Sequence, residues 1–180
     1  MNYTDIMLDL ETLGNKSNSP ILSIGAVEFN LETGETGREF YTTVDLQSCL
    51  DVGLKINGST FYWWMQQSDG ARKAVCQPGF PIMDALSRFE IWMQGSPEEI
   101  RIWGNGARFD IGIMEDAYVA CGWQDMPWKF RSERDVRTLV AFAPEIKANY
   151  PTVGVEHHPI YDCKHQIGYC HEIWKKIRNK

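Results

Sequence analysis

Asp9-Leu10-Glu11 is the sharpest local feature of the chain. Side chains alternate along a strand, so residues two apart share a face. Asp9 and Glu11 therefore point the same way, at the end of an apolar run. Two carboxylates that close repel each other and call for a proton or a cation between them. Paired carboxylates around divalent cations are the basis of two-metal phosphodiester cleavage. An exposed strand edge would also accommodate an acidic pair, so Asp9 and Glu11 do not decide the matter alone.

Two further clusters carry the same chemistry. Asn105-Gly-Ala-Arg-Phe109-Asp110 follows a short apolar run, with Asp110 in the first turn of a predicted helix. An acid there also complements the helix dipole. His157-His158-Pro-Ile-Tyr-Asp162 places a histidine just ahead of the last predicted helix and an acid in its first turn. Histidine is suited to taking a proton from water near neutral pH. Loop histidines with a structural role are the competing reading.

The elements that must position these residues follow from periodicity. Tyr3 to Leu10, Ile21 to Phe29 and Arg38 to Val44 read as strands of an antiparallel meander, with a turn at Leu31 to Gly34. Ser59 or Thr60 is expected to cap a helix carrying Phe61, Trp64 and Met65. Phe80 to Gln94 has apolar residues at helical spacing. Ile100 to Trp103 reads as a short strand, and a helix follows from about Arg108 to Cys121. Ser132 is expected to cap another helix, reaching Phe142. Residues 143–156 read as irregular, and Pro159 opens the last helix. Strands first, then helices alternating with short strands, indicate an α/β fold: a mixed sheet with helices on its faces.

Bulk properties set the bounds. The chain has 180 residues, 43% hydrophobic, which fits a single folded domain over 1–180. Its net charge of −6 argues against a passive nucleic-acid coat but not against an enzyme whose acidic site is filled by cations. Five cysteines without CxxC spacing point to reduced thiols rather than zinc or disulfides. There is no signal-peptide pattern at the N-terminus. No stretch approaches the roughly 18 apolar residues of a membrane span. A cytoplasmic protein is expected.

Taken in order, the three clusters resemble the motifs of the DEDDh branch of DnaQ-like 3′→5′ exonucleases, which have a ribonuclease H-like fold. Asp9-Leu-Glu-Thr-Leu-Gly14 is similar to the first motif, Asn105-x3-Phe109-Asp110 to the second and His157-x4-Asp162 to the third. The likeness runs from Asp9 to about Gln166. DLETLG, the IGAVEF strand, Trp63-Trp64 and Asp135-Val-Arg-Thr138 most resemble RNase AS-like and phage exonucleases. Leu13 stands where many relatives have threonine, and Cys163 where alanine is common.

The resemblance implies a mixed five-stranded sheet flanked by helices. It implies Asp9, Glu11, Asp110 and Asp162 as ligands of two Mg²⁺ or Mn²⁺ ions, with His157 rather than His158 as general base. Thr12, Leu13 and Phe109 are implied to border the terminal nucleotide. Either Trp63 or Trp64 could stack on a base, and Trp64 is carried forward as the substrate contact. The implied partner is single-stranded nucleic acid, RNA favoured over DNA, shortened from its 3′ end to nucleoside 5′-monophosphates. A homodimer is implied as well. Lys129, Arg131, Arg134 and Arg137 could track a strand or form a solvated face. A catalytically silent binding module on the same fold is the main alternative, and an internal-cutting nuclease of the ribonuclease H type is a third.

Overall fold

The computed structural model describes residues 3–97, 99–152, 154 and 157–179. A five-stranded sheet in the order β3-β2-β1-β4-β5 forms its centre. The strands are β1 Asp5–Thr12, β2 Ile21–Phe29, β3 Thr36–Thr43, β4 Arg101–Gly104 and β5 Glu133–Asp135. The first three form an antiparallel meander, while β4 and β5 continue parallel to β1.

The two-residue alternation of β1 builds both halves of the core. Ile6, Leu8 and Leu10 face one layer, with α4 (Ile82–Met93) and α5 (Ala107–Ala120). Met7 faces the other, with α6 (Val136–Val140) and α8 (Pro159–Arg178). Asp9 and Glu11 continue the register of Met7 toward the α8 side. β2 is buried along its whole length, as an inner strand covered on both faces must be.

Four small helices complete the described residues: α1 Leu46–Asp51, α2 Gly58–Met65, α3 Asp69–Val75 and α7 Pro144–Asn149. The cap of α2 is Asn57, not Ser59 or Thr60. Its side chain accepts from both of their backbone N–H groups while Asn57 itself stays extended. Ser132 does not open a helix. It ends a 3₁₀ turn, and residues 133–135 pair with β4 before α6 starts at Val136. Asp135 replaces Ser132 as the cap, because one carboxylate serves two helices. Its Oδ1 accepts from Arg137 and Thr138 N–H at the start of α6, and its Oδ2 accepts from Ala107 N–H at the start of α5. The supposedly irregular stretch 143–156 contains α7, while residues 153, 155 and 156 lie outside the described residues.

No helix of the described residues is long and apolar enough to cross a membrane.

Candidate active site

Three elements bring four carboxylates together at the C-terminal end of β1: Asp9, Glu11 and Asp162 line one cleft, and Asp110 is buried beside Asp9. Asp9 and Glu11 arrive on the strand itself. Asp110 arrives on the first turn of α5, and Asp162 on the first turn of α8. Two glycines let the helices come this close. Gly25 pairs with Asp9 across β2, and a Cβ there would sit 2.3 Å from Pro159 Cβ. Gly104 ends β4, and a Cβ there would meet Asp110 at 3.1 Å.

Asp110 is locked to the acidic strand. The pairing of β1 with β4 stops at Leu8 and Gly104, so the Leu10 N–H lies beyond the last β4 partner. It donates instead to Asp110 Oδ1 at 3.2 Å. This satisfies a buried backbone donor and fixes the carboxylate beside Asp9 and Glu11. Behind the acids, the Cys163 thiol is fully buried and points at the Met7 and Gly25 carbonyls, at 3.4 and 3.7 Å. Burial pushes that thiol well above its ordinary pKa, and the charges of Asp9, Asp110 and Asp162 add to the shift.

The electrostatics are those of a cation site. Burial holds the Asp9 carboxyl well above the usual carboxylate range, and the neighbouring Asp110, Glu11 and Asp162 raise it further. Burial likewise lifts Glu11 to about 8, with Asp162 and Asp110 contributing. Burial also raises Asp110, against hydrogen bonds from backbone N–H groups and the Arg137 charge, which lower it. Acids clustered away from water in this way favour a proton or a metal ion between them.

The donor set fits a hard divalent cation. Ligand atoms of Glu11, His157 and Asp162 lie within 4.8 Å of one another, and the Asp9 carboxylate adjoins them. The carboxylate oxygens among these donors suit Mg²⁺ or Mn²⁺. Two buried amide oxygens, Asn105 Oδ1 and Gln166 Oε1, have no hydrogen-bond partner among the described residues. Both residues line the same cleft. They are acceptors left for a cation, its water or a substrate hydroxyl.

The two histidines part company. His157 lines the cleft and packs edge-on against Trp63 and Trp64, with ring centroids 5.1 and 5.8 Å away. Its backbone has φ of 60°, the left-handed region that non-glycine residues rarely occupy. His158 instead stacks on Tyr41, with centroids 4.8 Å apart.

The adjacent tryptophans also separate. Trp64 is 2% exposed, and its indole N–H donates to the Thr12 carbonyl at 2.9 Å. It forms part of the wall that holds the end of β1. Trp63 is 43% exposed and opens onto the cleft. Phe109 lines the cleft and leans on the core. Thr12 also lines it, with its hydroxyl donating to the Gly14 carbonyl at 2.7 Å. Leu13 is turned away from the cleft, into a small cluster with Leu22, Trp64 and Ala71. The basic residues do not form one track. Lys129, Arg131 and Arg134 gather with Arg101 around a hollow beside Thr4, whereas Arg137 lies against Gly106.

Several cleft residues escaped the sequence reading. Gln166 donates to Asp9, and His165, Tyr169 and Lys147 line the same wall. The first three had a readable signal: with Asp162 they occupy positions i, i+3, i+4 and i+7 of one helix, a single face. Lys147 had none, because its approach depends on how α7 packs.

Residues 4–174 match the family described as the 3′-5′ exoribonuclease Rv2179c-like domain. The exodeoxyribonuclease of Enterobacteria phage T4 is 26% identical over 160 residues, covering 76% of this chain and 70% of that protein. Exonuclease I from Methylocaldum szegediense superposes with a TM-score of 0.69 at 11% identity, over 98% of this chain and 41% of its own. The E. coli exonuclease I–single-stranded DNA complex gives 0.65 at 14% identity, over 99% and 41%. The chain thus spans less than half the length of either exonuclease I. The nuclease domain of 3′hExo, a DEDDh family member bound to rAMP, gives 0.64 at 12% identity, over 97% of this chain and 93% of its own. With the match running over residues 4–174, the chain belongs to the Rv2179c-like 3′-5′ exoribonuclease domain family.

Proposed function

We propose that the chain trims single-stranded nucleic acid from its 3′ end, RNA in preference to DNA, releasing nucleoside 5′-monophosphates by a two-metal hydrolysis. The observation that carries this reading is the convergence of Asp9, Glu11 and Asp162 in one cleft, with Asp110 buried beside them and His157 also lining it.

The four carboxylates would hold the cations, with Asp9 beside each of the other three. Bound there, Mg²⁺ or Mn²⁺ supplies an activated water and neutralises charge developing on the leaving 3′ oxygen. His157 takes the proton of the attacking water. Its position between the acids and the two indoles keeps the ring at the edge of the cleft, where it exchanges that proton with solvent. Trp63 offers its exposed indole to the terminal base, and Phe109 closes the opposite side. The role carried forward for Trp64 becomes that of a buried support for Thr12.

RNA is placed first because the matching family is described by exoribonuclease activity, while the T4 relative carries the name of an exodeoxyribonuclease. Digestion of RNA and DNA strands of one sequence, labelled so that each released mononucleotide is counted, tests both halves of the reading. Metal-dependent loss of single nucleotides from the 3′ end, faster on RNA, is the expected result. Binding without shortening, or cutting of a circular strand, overturns it. A cytoplasmic homodimer belongs to the same reading, and sedimentation at the mass of one chain would overturn the dimer.

A further inference from the structure

The cleft has two chemically different ends. At one, Thr60, Trp63 and Trp64 present rings and a methyl group. At the other, α8 presents His165, Gln166 and Tyr169, and α7 presents Lys147 across from them. Among the described residues lining this cleft of about 440 Å³, Lys147 is the one lysine or arginine.

Lys147 makes a cation–π contact rather than an ion pair. Its ammonium lies 5.5 Å from the centre of the Tyr169 ring and has no hydrogen bond or ion pair among the described residues. It is half-buried, and its helix is anchored by Ile146 and Tyr150 against the α8 side of the core. Tyr169 is fully buried, yet its hydroxyl has no hydrogen-bond partner among the described residues. Nδ1 of His165 is in the same position. Orphaned buried polar groups are rare in folded proteins and call for a water or a ligand. A cation beside a phenol and an imidazole makes a donor set for an anion.

We propose that Lys147, supported by His165 and Tyr169, holds the backbone phosphate next to the scissile one. The inference rests on the exonuclease reading above. A nucleotide released as a 5′-monophosphate carries only the scissile phosphate, so any second phosphate in the cleft belongs to the strand left behind. The seven residues from Asp162 to Tyr169 span roughly 10 Å along α8, the reach of a step or two of nucleic-acid backbone. A charged contact on the retained strand also gives an acidic chain a grip on substrate that does not depend on the metals.

The test pairs a protein change with a substrate change. One strand carries natural phosphates, and a second carries a neutral methylphosphonate at the linkage adjacent to the scissile bond. For the wild type, the neutral linkage should lower kcat/KM by about tenfold, mainly through KM. Lys147→Ala should lose about the same on the natural strand. The losses should not multiply: with the neutral linkage, Lys147→Ala should do no worse than wild type. Lys147→Arg should retain the contact. Losses that multiply to about a hundredfold, or a Lys147→Ala protein equal to wild type on the natural strand, overturn the assignment. A wild-type protein that shortens neither strand overturns the exonuclease reading and this inference with it.

Discussion

Gln166 Nε2 donates a 2.8 Å hydrogen bond to Asp9 Oδ1. The bond joins the helix that carries Asp162 to the strand that carries Asp9 and Glu11, and Gln166 is itself 4% exposed. A neutral donor on this carboxylate favours its charged form and opposes the burial and repulsion that raise its pKa. Gln166 therefore orients Asp9 and partly offsets the burial and repulsion that still hold its carboxyl above the usual range.

Replacing that donor should weaken metal use before it weakens the fold. Partners that orient metal ligands are typically worth about 10–100-fold in affinity or activity. Gln166→Leu should shift the Mn²⁺ activation curve to higher concentration by that order, while Gln166→Glu, which adds a fifth acid, should do worse at low metal. An unchanged activation midpoint in Gln166→Leu would remove Gln166 from the site.

The acidic cluster should also make the metal-free protein sensitive to base. Glu11 is raised from its ordinary 4.5 to about 8. A carboxyl raised on folding contributes stability below its unfolded pKa and loses it as pH climbs to the folded value. In EDTA, Tm should therefore fall between about pH 4.5 and pH 8, and Mg²⁺ or Mn²⁺ should restore it most at the upper end. Glu11→Gln should flatten the curve. A metal-free Tm that rises across this window would contradict the assignment.

The two tryptophans should fail differently. Trp63→Ala removes an exposed ring, and stacking of a base on an aromatic is worth about 1–3 kcal/mol. It should raise KM roughly tenfold or more with little change in Tm. Trp64→Phe removes the N–H that reaches the Thr12 carbonyl, leaving a buried acceptor unpaired at a cost of about 1–3 kcal/mol. Thermal melting and steady-state kinetics on both proteins separate the roles; a Trp63→Ala protein with wild-type KM would mean that the indole touches nothing.

Gly25→Ala tests the approach of α8. The added methyl would meet Pro159 Cβ at 2.3 Å, with the helix backbone directly behind it. Forcing atoms into a packed contact usually costs about 1–3 kcal/mol. Here the relief is movement of the α8 N-terminus, which also carries Asp162. Activity should therefore fall much further than stability, by about a hundredfold or more when a ligand is displaced by an ångström. Wild-type turnover in a folded Gly25→Ala protein would show that this contact yields elsewhere.

The acids were legible because each lies in a local context that chemistry reads directly: alternate positions of a strand, and the first turns of two helices. β2 was legible to the residue, since a nine-residue apolar-rich segment flanked by polar turns has few alternatives, even with Ser23 and Glu28 inside it. β5 was not. Glu133-Arg134-Asp135 has no apolar alternation, and it is a strand only because β4 offers it an edge. The start of α2 was misplaced because Asn57, Ser59 and Thr60 are all able caps, and the one before the first turn prevails. Lys147 and the exposure of Trp63 over Trp64 are tertiary outcomes, set by which helix face the core claims.

The buried thiol at Cys163 has a practical side. It sits against two carbonyls under the acids, out of reach of solvent, while Cys49 and Cys170 are also buried and Cys121 is half-covered. Cys76, on the far wall of Trp64, is the thiol in the open. A maleimide dye added to the native chain should find that position first. It would give a fluorescent reporter on the hollow that shares Trp64 with the acidic cleft, attached without engineering and away from the four clustered carboxylates.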